Sequence, residues 1–137
     1  MSSLKIFDIA GSGMAAQGLR LNLVASNMAN VDAVSSSVEQ TYRARHPVFR
    51  AVLDDIGSKA PAVGVQMAGV VESQAPLVRE YSPDHPMADQ DGYIYRPNVN
   101  MVEEMADMIS ASRAYQNNVE VINAARQMMT ATLNLGK

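Results

Sequence analysis

The fold class follows from the stretch between Val99 and Leu133, which reads VNMVEEMADMISASRAYQNNVEVINAARQMMTATL. This stretch contains no proline and no glycine, and apolar side chains return along it every seven residues. The period predicts an α-helix that packs in a left-handed coiled coil. Asn98 or Asn100 can cap the start of the helix, and Gly136 follows its end. The predicted helix-packing and subunit-interface residues are Met101, Met105, Met108, Tyr115, Val119, Ile122, Met129 and Leu133.

A second helix with the same period is predicted near the start of the chain, between Leu4 and Val31. No proline interrupts it, but Gly11, Gly13 and Gly18 each cost up to about 1 kcal/mol in a helix interior. We therefore expect its first half to be kinked or poorly formed on its own. The predicted interface residues of this helix are Phe7, Met14, Leu21, Val24 and Met28.

The segment between the two helices has a different texture. All six prolines lie within residues 32–97, which excludes a long helix there. Short runs rich in valine and tyrosine predict β-strands at Ala62–Val71, Ala75–Tyr81 and Gly92–Tyr95. We therefore predict a mainly α protein with a small, β-rich, proline-containing centre.

This pattern divides the chain into three parts. Residues 1–31 and 98–137 hold the N- and C-terminal helices of one discontinuous coiled-coil domain, and residues 32–97 form the central β-rich segment. A helix of about 35 residues is about 52 Å long. A compact globule of this chain length would be only about 36 Å across. The ends and outer faces of such a helix need cover from neighbouring molecules, which favours an assembly subunit.

Composition excludes several function classes. Eleven basic and fourteen acidic residues leave a net charge of −3, which gives no electrostatic reason to expect a nucleic acid partner. No stretch approaches the roughly 20 apolar residues that span a bilayer, so we expect no direct membrane insertion. The first residues also lack the basic start and apolar core of a cleaved signal peptide.

One motif favours a different function. Residues 11–16, GSGMAA, match the G-x-G-x-x-A dinucleotide-binding fingerprint, and Asp32 lies at about the distance expected for a ribose ligand. That fingerprint follows a buried β-strand, whereas the residues before Asp32 do not read as one. A small dinucleotide-binding protein is therefore the alternative to small residues that allow close helix contact.

Other candidate chemistry is sparse. Asp84, His85, Asp89 and Asp91 could surround a cation, but their spacing is not that of a calcium loop, and a polar turn explains them. Glu103 and Glu104 are adjacent near the start of the predicted helix, where carboxylates interact favourably with the helix dipole. We therefore expect no catalytic residues, no cofactor and no metal.

Two runs in the N-terminal part carry a resemblance to a known family. Residues 7–14, FDIAGSGM, resemble the opening of the rod proteins of the bacterial flagellar basal body. The run Ala25, Ser26, Asn27, Met28, Ala29 and Asn30 is similar to the signature ASN-L-AN that rod and hook proteins share, with Met28 in place of the usual leucine.

Later runs resemble one branch of that family, the proximal rod proteins. They read ESQAP at 72–76, YSPDHPMAD at 81–89 with GY at 92–93, PNVNMVEEM at 97–105 and MISASRAYQ at 108–116. The resemblance is weakest over residues 34–40 and 51–61, where we expect exposed loops.

The resemblance implies a structural subunit of the proximal rod, the part of the drive shaft near the inner-membrane ring. Its terminal helices would form the layer around the export channel, and torque would pass through its subunit contacts, so that motility depends on it. The implied partners are other copies of the chain, other rod and basal-body proteins and the flagellar export apparatus. The family leaves the cytoplasm through the flagellar type III apparatus without a cleaved signal peptide, which implies a periplasmic location in the basal body. Another flagellar axial protein is the alternative within the same family.

Overall fold

A computed structural model describes the backbone of residues 3–54 and 62–136, and the side chains of residues 5–52 and 64–136. The elements, in chain order, are α1 (Ser3–Ala29), β1 (Arg45–Asp54), β2 (Ala62–Glu72), β3 (Val78–Tyr81), β4 (Tyr93–Arg96) and α2 (Met101–Leu135). The predicted mainly α chain, with helices at both ends and a small β-rich centre, is confirmed at this level. None of the described helices is long and apolar enough to cross a membrane.

The two helices pack against each other in opposite directions. Gly13 of α1 lies against Asn118 of α2, and further along α1 Asn27 reaches Glu104. A Cβ atom added at Gly13 would come within 3.0 Å of the Asn118 amide nitrogen, so glycine permits the close approach there. Helix α1 is continuous through its glycines, because packing against its neighbours outweighs their low helix propensity.

The buried side of α2 follows a heptad column of small and polar residues. Glu104, Ala111 and Ala125 are buried, and Asn118 completes the same seven-residue series. This column lies about 60° around the helix from the large apolar residues at Met101 and its heptad equivalents, since a displacement of three residues rotates by about 300°. Small side chains lie at the centre because they let the two helix axes approach.

Helix α2 is longer than α1, with 35 residues against 27. The lengths correspond to about 52 Å and about 40 Å. Because Asn27 meets Glu104 and Gly13 meets Asn118, the last turns of α2 extend beyond the start of α1. Leu135 near the end of α2 is accordingly 88% exposed.

Strands β1 and β2 form an antiparallel hairpin that packs against α1. The Ser12 hydroxyl of α1 accepts a hydrogen bond from the Val65 amide (3.1 Å) and donates one to the Ile9 carbonyl (2.7 Å). Gly64 approaches Ser12 so closely that a Cβ atom there would lie 3.2 Å from the hydroxyl oxygen. Helix α1 therefore lies between α2 and the hairpin.

The hairpin includes a strand that the sequence analysis missed. β2 confirms the strand predicted at Ala62–Val71, but β1 had no clear alternating pattern and contains Pro47. A proline is tolerated in a two-stranded hairpin because the outward amides of each strand need no partner. The register also shifts between Val48 and Phe49, which disturbs the alternation of faces.

Strands β3 and β4 form a second antiparallel pair. β3 is shorter than the run predicted at Ala75–Tyr81, and β4 is displaced by one residue from the run predicted at Gly92–Tyr95. Ser35 exchanges two backbone hydrogen bonds of 3.0 Å with Tyr95 of β4, and Ser35 itself is buried. The expected exposed loop at residues 34–40 is therefore wrong at Ser35, whereas Val38 to Gln40 are exposed. The expected loop at 51–61 begins inside β1, and residues 55–61 lie outside the described residues.

Candidate functional site: a buried polar junction and an uncovered helix

A single asparagine side chain joins α1, β1 and α2. Asn27 is fully buried, at 0% exposure. Its amide nitrogen donates to the Arg45 carbonyl and to Glu104 Oε1, both at 2.9 Å. Its amide oxygen accepts from the Arg45 backbone N–H and from the Tyr42 hydroxyl, again at 2.9 Å. Two donors and two acceptors are all that an asparagine amide offers, so every one is used.

Glu104 completes this junction from the first turn of α2. Its side chain is only 4% exposed. Desolvation raises the pKa of the Glu104 carboxyl above its ordinary value, while the hydrogen bond from Asn27 and the nearby His46 oppose the rise. The local helix start is fixed by Asn100, whose side chain accepts from the Val102 amide at 3.0 Å and caps α2, as one of the two predicted caps.

A second asparagine ties the base of the hairpin to the approach to α2. The Asn98 side chain accepts a hydrogen bond from the Ala44 amide (2.8 Å) and donates to the carbonyls of Ser73 (3.2 Å) and Ala75 (2.9 Å). The Arg43 guanidinium donates to the same two carbonyls at 3.1 and 3.3 Å. These bonds hold both strands of the hairpin at one place, next to the Asn27 junction.

The family motif at residues 25–30 builds one side of this junction. Asn27 is its buried member, and the Asn30 amide donates to the Ser26 carbonyl at 2.8 Å. The Ser26 hydroxyl lies 3.2 Å from the Tyr42 hydroxyl. Ala25 and Ala29 are exposed, and Met28 is half-buried.

Glu104 and Tyr42 are members of this site that were not predicted from the sequence. Glu104 was expected, with Glu103, to interact with the helix dipole, yet Glu103 is exposed and Glu104 is buried. The available signal was the heptad column, since Glu104 lies seven residues before Ala111 and fourteen before Asn118. Nothing comparable in the sequence marks Tyr42.

The predicted interface residues lie around the edges of the helix pair. In α1, Val24 is buried, whereas Phe7, Met14, Leu21 and Met28 are half-buried. In α2 the half-buried members are Met101, Met108, Val119, Ile122 and Met129, and the exposed members are Met105, Tyr115 and Leu133. Contact between α1 and α2 thus leaves part of each row of predicted interface residues, which we call the seam of that helix, uncovered. The role of these residues between subunits stays a prediction.

Apolar residues of α2 remain exposed on both flanks of its buried column. We call this set the uncovered surface of α2: it comprises Val102, Met105, Ile109, Tyr115, Val121, Met128, Leu133 and Leu135. Val102 and Ile109 are seven residues apart on the face nearly opposite the buried column, and Val121, Met128 and Leu135 repeat at the same interval along one flank. An apolar arc this wide exceeds what a single neighbouring helix buries.

The alternative sites suggested by the sequence have other roles in the structure. Residues 11–16 lie inside α1, which begins at Ser3, and not at the strand-to-helix turn that a dinucleotide site requires. Asp89 organises a turn: the Tyr93 amide bonds to its carboxylate and lowers the pKa of that carboxyl, with help from the Asp91 amide and the Tyr95 hydroxyl. Within the described residues no three His, Asp or Glu side chains are grouped to hold a metal ion.

Comparisons with known proteins agree along the whole chain. The family model described as "Flagella basal body rod protein" matches residues 7–35, and "Flagellar basal body rod FlgEFG protein C-terminal" matches residues 90–135. The chain is 49% identical to the flagellar basal-body rod protein FlgC of Salmonella typhimurium over 137 residues, which cover all of both chains. It is 47% identical to FlgC of Yersinia enterocolitica, again over the full length of both, and 35% identical to FlgC of Borreliella burgdorferi over 97% of each. With this degree of identity from end to end, the chain belongs to the FlgC family of flagellar basal-body rod proteins.

Proposed function

We propose that this chain is a structural subunit of the rod of the bacterial flagellar basal body and that neighbouring subunits cover its helices. The observation that carries the proposal is the uncovered surface of α2, which α1 alone does not bury, in a chain related to rod proteins along its whole length. Contiguous apolar surfaces of this kind mark contacts with other proteins.

In this proposal the helices of neighbouring subunits pack against each other in a coiled coil. The predicted interface residues repeat every seven positions, which suits knobs-into-holes packing by more than one partner helix. Residues 1–31 and 98–137 act as one discontinuous helical domain in this arrangement, and residues 32–97 form the central β-rich segment.

The mechanism is mechanical and not enzymatic. Torque passes from subunit to subunit, and a close-packed seam resists sliding because each side chain must leave a fitted hole before the helices shift. The resemblance to proximal rod proteins implies that the subunit lies in the proximal rod near the inner-membrane ring, with its helices around the export channel. The partners are other copies, other rod and basal-body proteins and the export apparatus, which passes the chain to the periplasmic rod without cleaving a signal peptide.

The test is removal and return of the gene in its own bacterium. Basal bodies purified from cells without the chain should end at the rings, with no completed rod, hook or filament under the electron microscope. Return of the gene should restore rods and swimming. Cells that swim without the chain would refute the proposal, and density for a tagged chain in the hook or distal rod would refute only the proximal position.

A further inference from the structure

The Asn27 junction is unusual because it places polar groups where apolar ones would serve packing equally well. Buried polar pairs contribute little net stability, and well-packed apolar replacements are often as stable or more so. Removal of one partner, by contrast, leaves a desolvated polar group without a bond. A junction of this kind is explained better by the geometry it imposes than by the stability it adds.

The hydrogen bonds specify what that geometry is. The Asn27 side chain bonds to both backbone groups of Arg45, the first residue of β1, and so fixes the main chain of the hairpin at that point. The amide can do so only in the orientation that directs its second N–H at Glu104, which accepts that bond from α2. Glu104 therefore acts on the hairpin through Asn27.

The helices have their own contacts, independent of these bonds to Arg45. Ala111 and Ala125 are buried between the helices, Gly13 accommodates Asn118, and Arg20 pairs with Asp107. Helix pairing therefore does not depend on Asn27, whereas the base of the hairpin contacts α1 through the Asn27 side chain. We expect mutation to separate helix pairing from placement of the hairpin.

We propose that Asn27 and Glu104 are positioning residues that hold the β1–β2 hairpin against α1 in one orientation, so that every subunit presents the hairpin to its neighbours in the same place. The first half of this statement concerns the single chain, and the second half rests on the proposed function. Three titratable groups lie near the Glu104 carboxyl: His46 from β1, and Glu103 and Asp107 from α2. Arg20 from α1 pairs with Asp107.

The chain allows a direct test because it has no cysteine of its own. A Cβ atom at Gly64 would lie 3.7 Å from the Ser12 Cβ, close to the roughly 3.8 Å typical of a disulfide. The pair Ser12→Cys and Gly64→Cys therefore reports hairpin placement. In a separate chain, Gly13→Cys and Asn118→Cys report helix pairing, since a Cβ at Gly13 would lie 3.2 Å from the Asn118 Cγ.

The decisive variant combines Asn27→Leu with Glu104→Met in the full chain, carried by each reporter pair. We expect the hairpin cross-link to fall several-fold, because the Arg45 backbone groups and the Tyr42 hydroxyl then find their partners in water. The helix cross-link should persist. Glu104→Gln alone keeps an acceptor for Asn27 and should retain both cross-links, and Asn22→Leu, an exposed asparagine of α1, is the matched control.

Three results would overturn the inference. An unchanged hairpin cross-link in the double variant would mean that Asn27 does not place the hairpin. Loss of both cross-links together would assign the pair to general stability, and lack of the hairpin cross-link with Asn27 and Glu104 intact would refute the geometry itself. Because the cross-links are measured on the single chain, their outcome does not depend on rod assembly. Assembly by the double variant would overturn the second half of the proposal alone, and failure of the unaltered chain to enter basal bodies would overturn the proposed function.

Discussion

The two helices share a heptad period but differ in how much of their surface the chain itself covers. Helix α1 packs against α2 on one side and against both hairpin strands on the other, whereas among the described elements α2 packs against α1 alone. Within the described residues, Leu19 is the one large apolar side chain of α1 that is exposed, against eight on α2. The comparison indicates that α1 organises the subunit and that α2 is the helix available to neighbours.

The largest effect is expected from a charge placed in the seam of α2. Ile122→Asp puts a carboxylate at a half-buried position that belongs to the same heptad series as Met108 and Tyr115. An unpaired charge in a closed interface costs several kcal/mol, and the cost recurs in every copy of an assembly. We expect the protein to be made and exported, and motility to be lost, with basal bodies that stop at the rings under the electron microscope.

Glu120→Asp provides the control for that variant, because Glu120 is exposed and the change there should stay within about ±0.5 kcal/mol. Normal rods and swimming with Ile122→Asp would show that this seam is not a subunit interface.

A large effect on the subunit itself is expected from Asn27→Asp in α1. The carboxylate cannot donate to the Arg45 carbonyl, and it brings a second acidic group against Glu104. Breaking a buried polar network in this way costs about 3–5 kcal/mol. Urea unfolding of the purified chain measures the loss, with the exposed Asn22→Asp as control. Equal stability of the two variants would mean that water enters the junction freely.

A smaller difference should separate the two helices of the unassembled chain. We expect the isolated protein to contain less helix than its assembled form, and the loss to lie in the C-terminal turns of α2 around Met128 and Leu133. Hydrogen exchange should be about tenfold or more faster at those amides than around Val24 in α1, a difference of about 1.4 kcal/mol in opening free energy. Equal protection of both regions, with a cooperative melt of all the helix, would contradict the comparison.

The smallest effect concerns pH and Glu104→Gln. Because burial raises the pKa of Glu104 above its ordinary value of 4.5, the folded chain binds this proton more tightly than the unfolded chain does. The stability of the wild type should therefore fall, relative to the glutamine variant, as pH rises from about 4.5 through the folded pKa. Urea midpoints measured across this range decide the sign, and parallel curves for the two proteins would show that Glu104 stays ionised at no cost.

The sequence predicted the helices, their period and the proline-rich centre, because these depend on local spacing. It did not predict which column of α2 faces α1, since Ala111 and Ala125 occupy the contact for their small size and not for their hydrophobicity. It also could not reveal β1, whose pairing with β2 decides its structure more than its own residues do. Asn27 was recognisable as part of a motif, but its role depends on Glu104, which lies 77 residues further along the chain.

The antiparallel arrangement of the helices gives the subunit two unlike ends. The start of α1 and the end of α2 lie together at one end, and the β3–β4 pair, tied to Ser35, lies near the other. Copies that stacked in a single orientation by head-to-tail contacts would form an open helical array wherever the rotation between them does not close a ring. Such an array would have a direction, because one of its tips would expose the start of α1 and the end of α2 and the opposite tip would expose the β3–β4 pair. An incoming subunit would then meet a different surface at each tip, so the fold of the single subunit would set the direction of elongation.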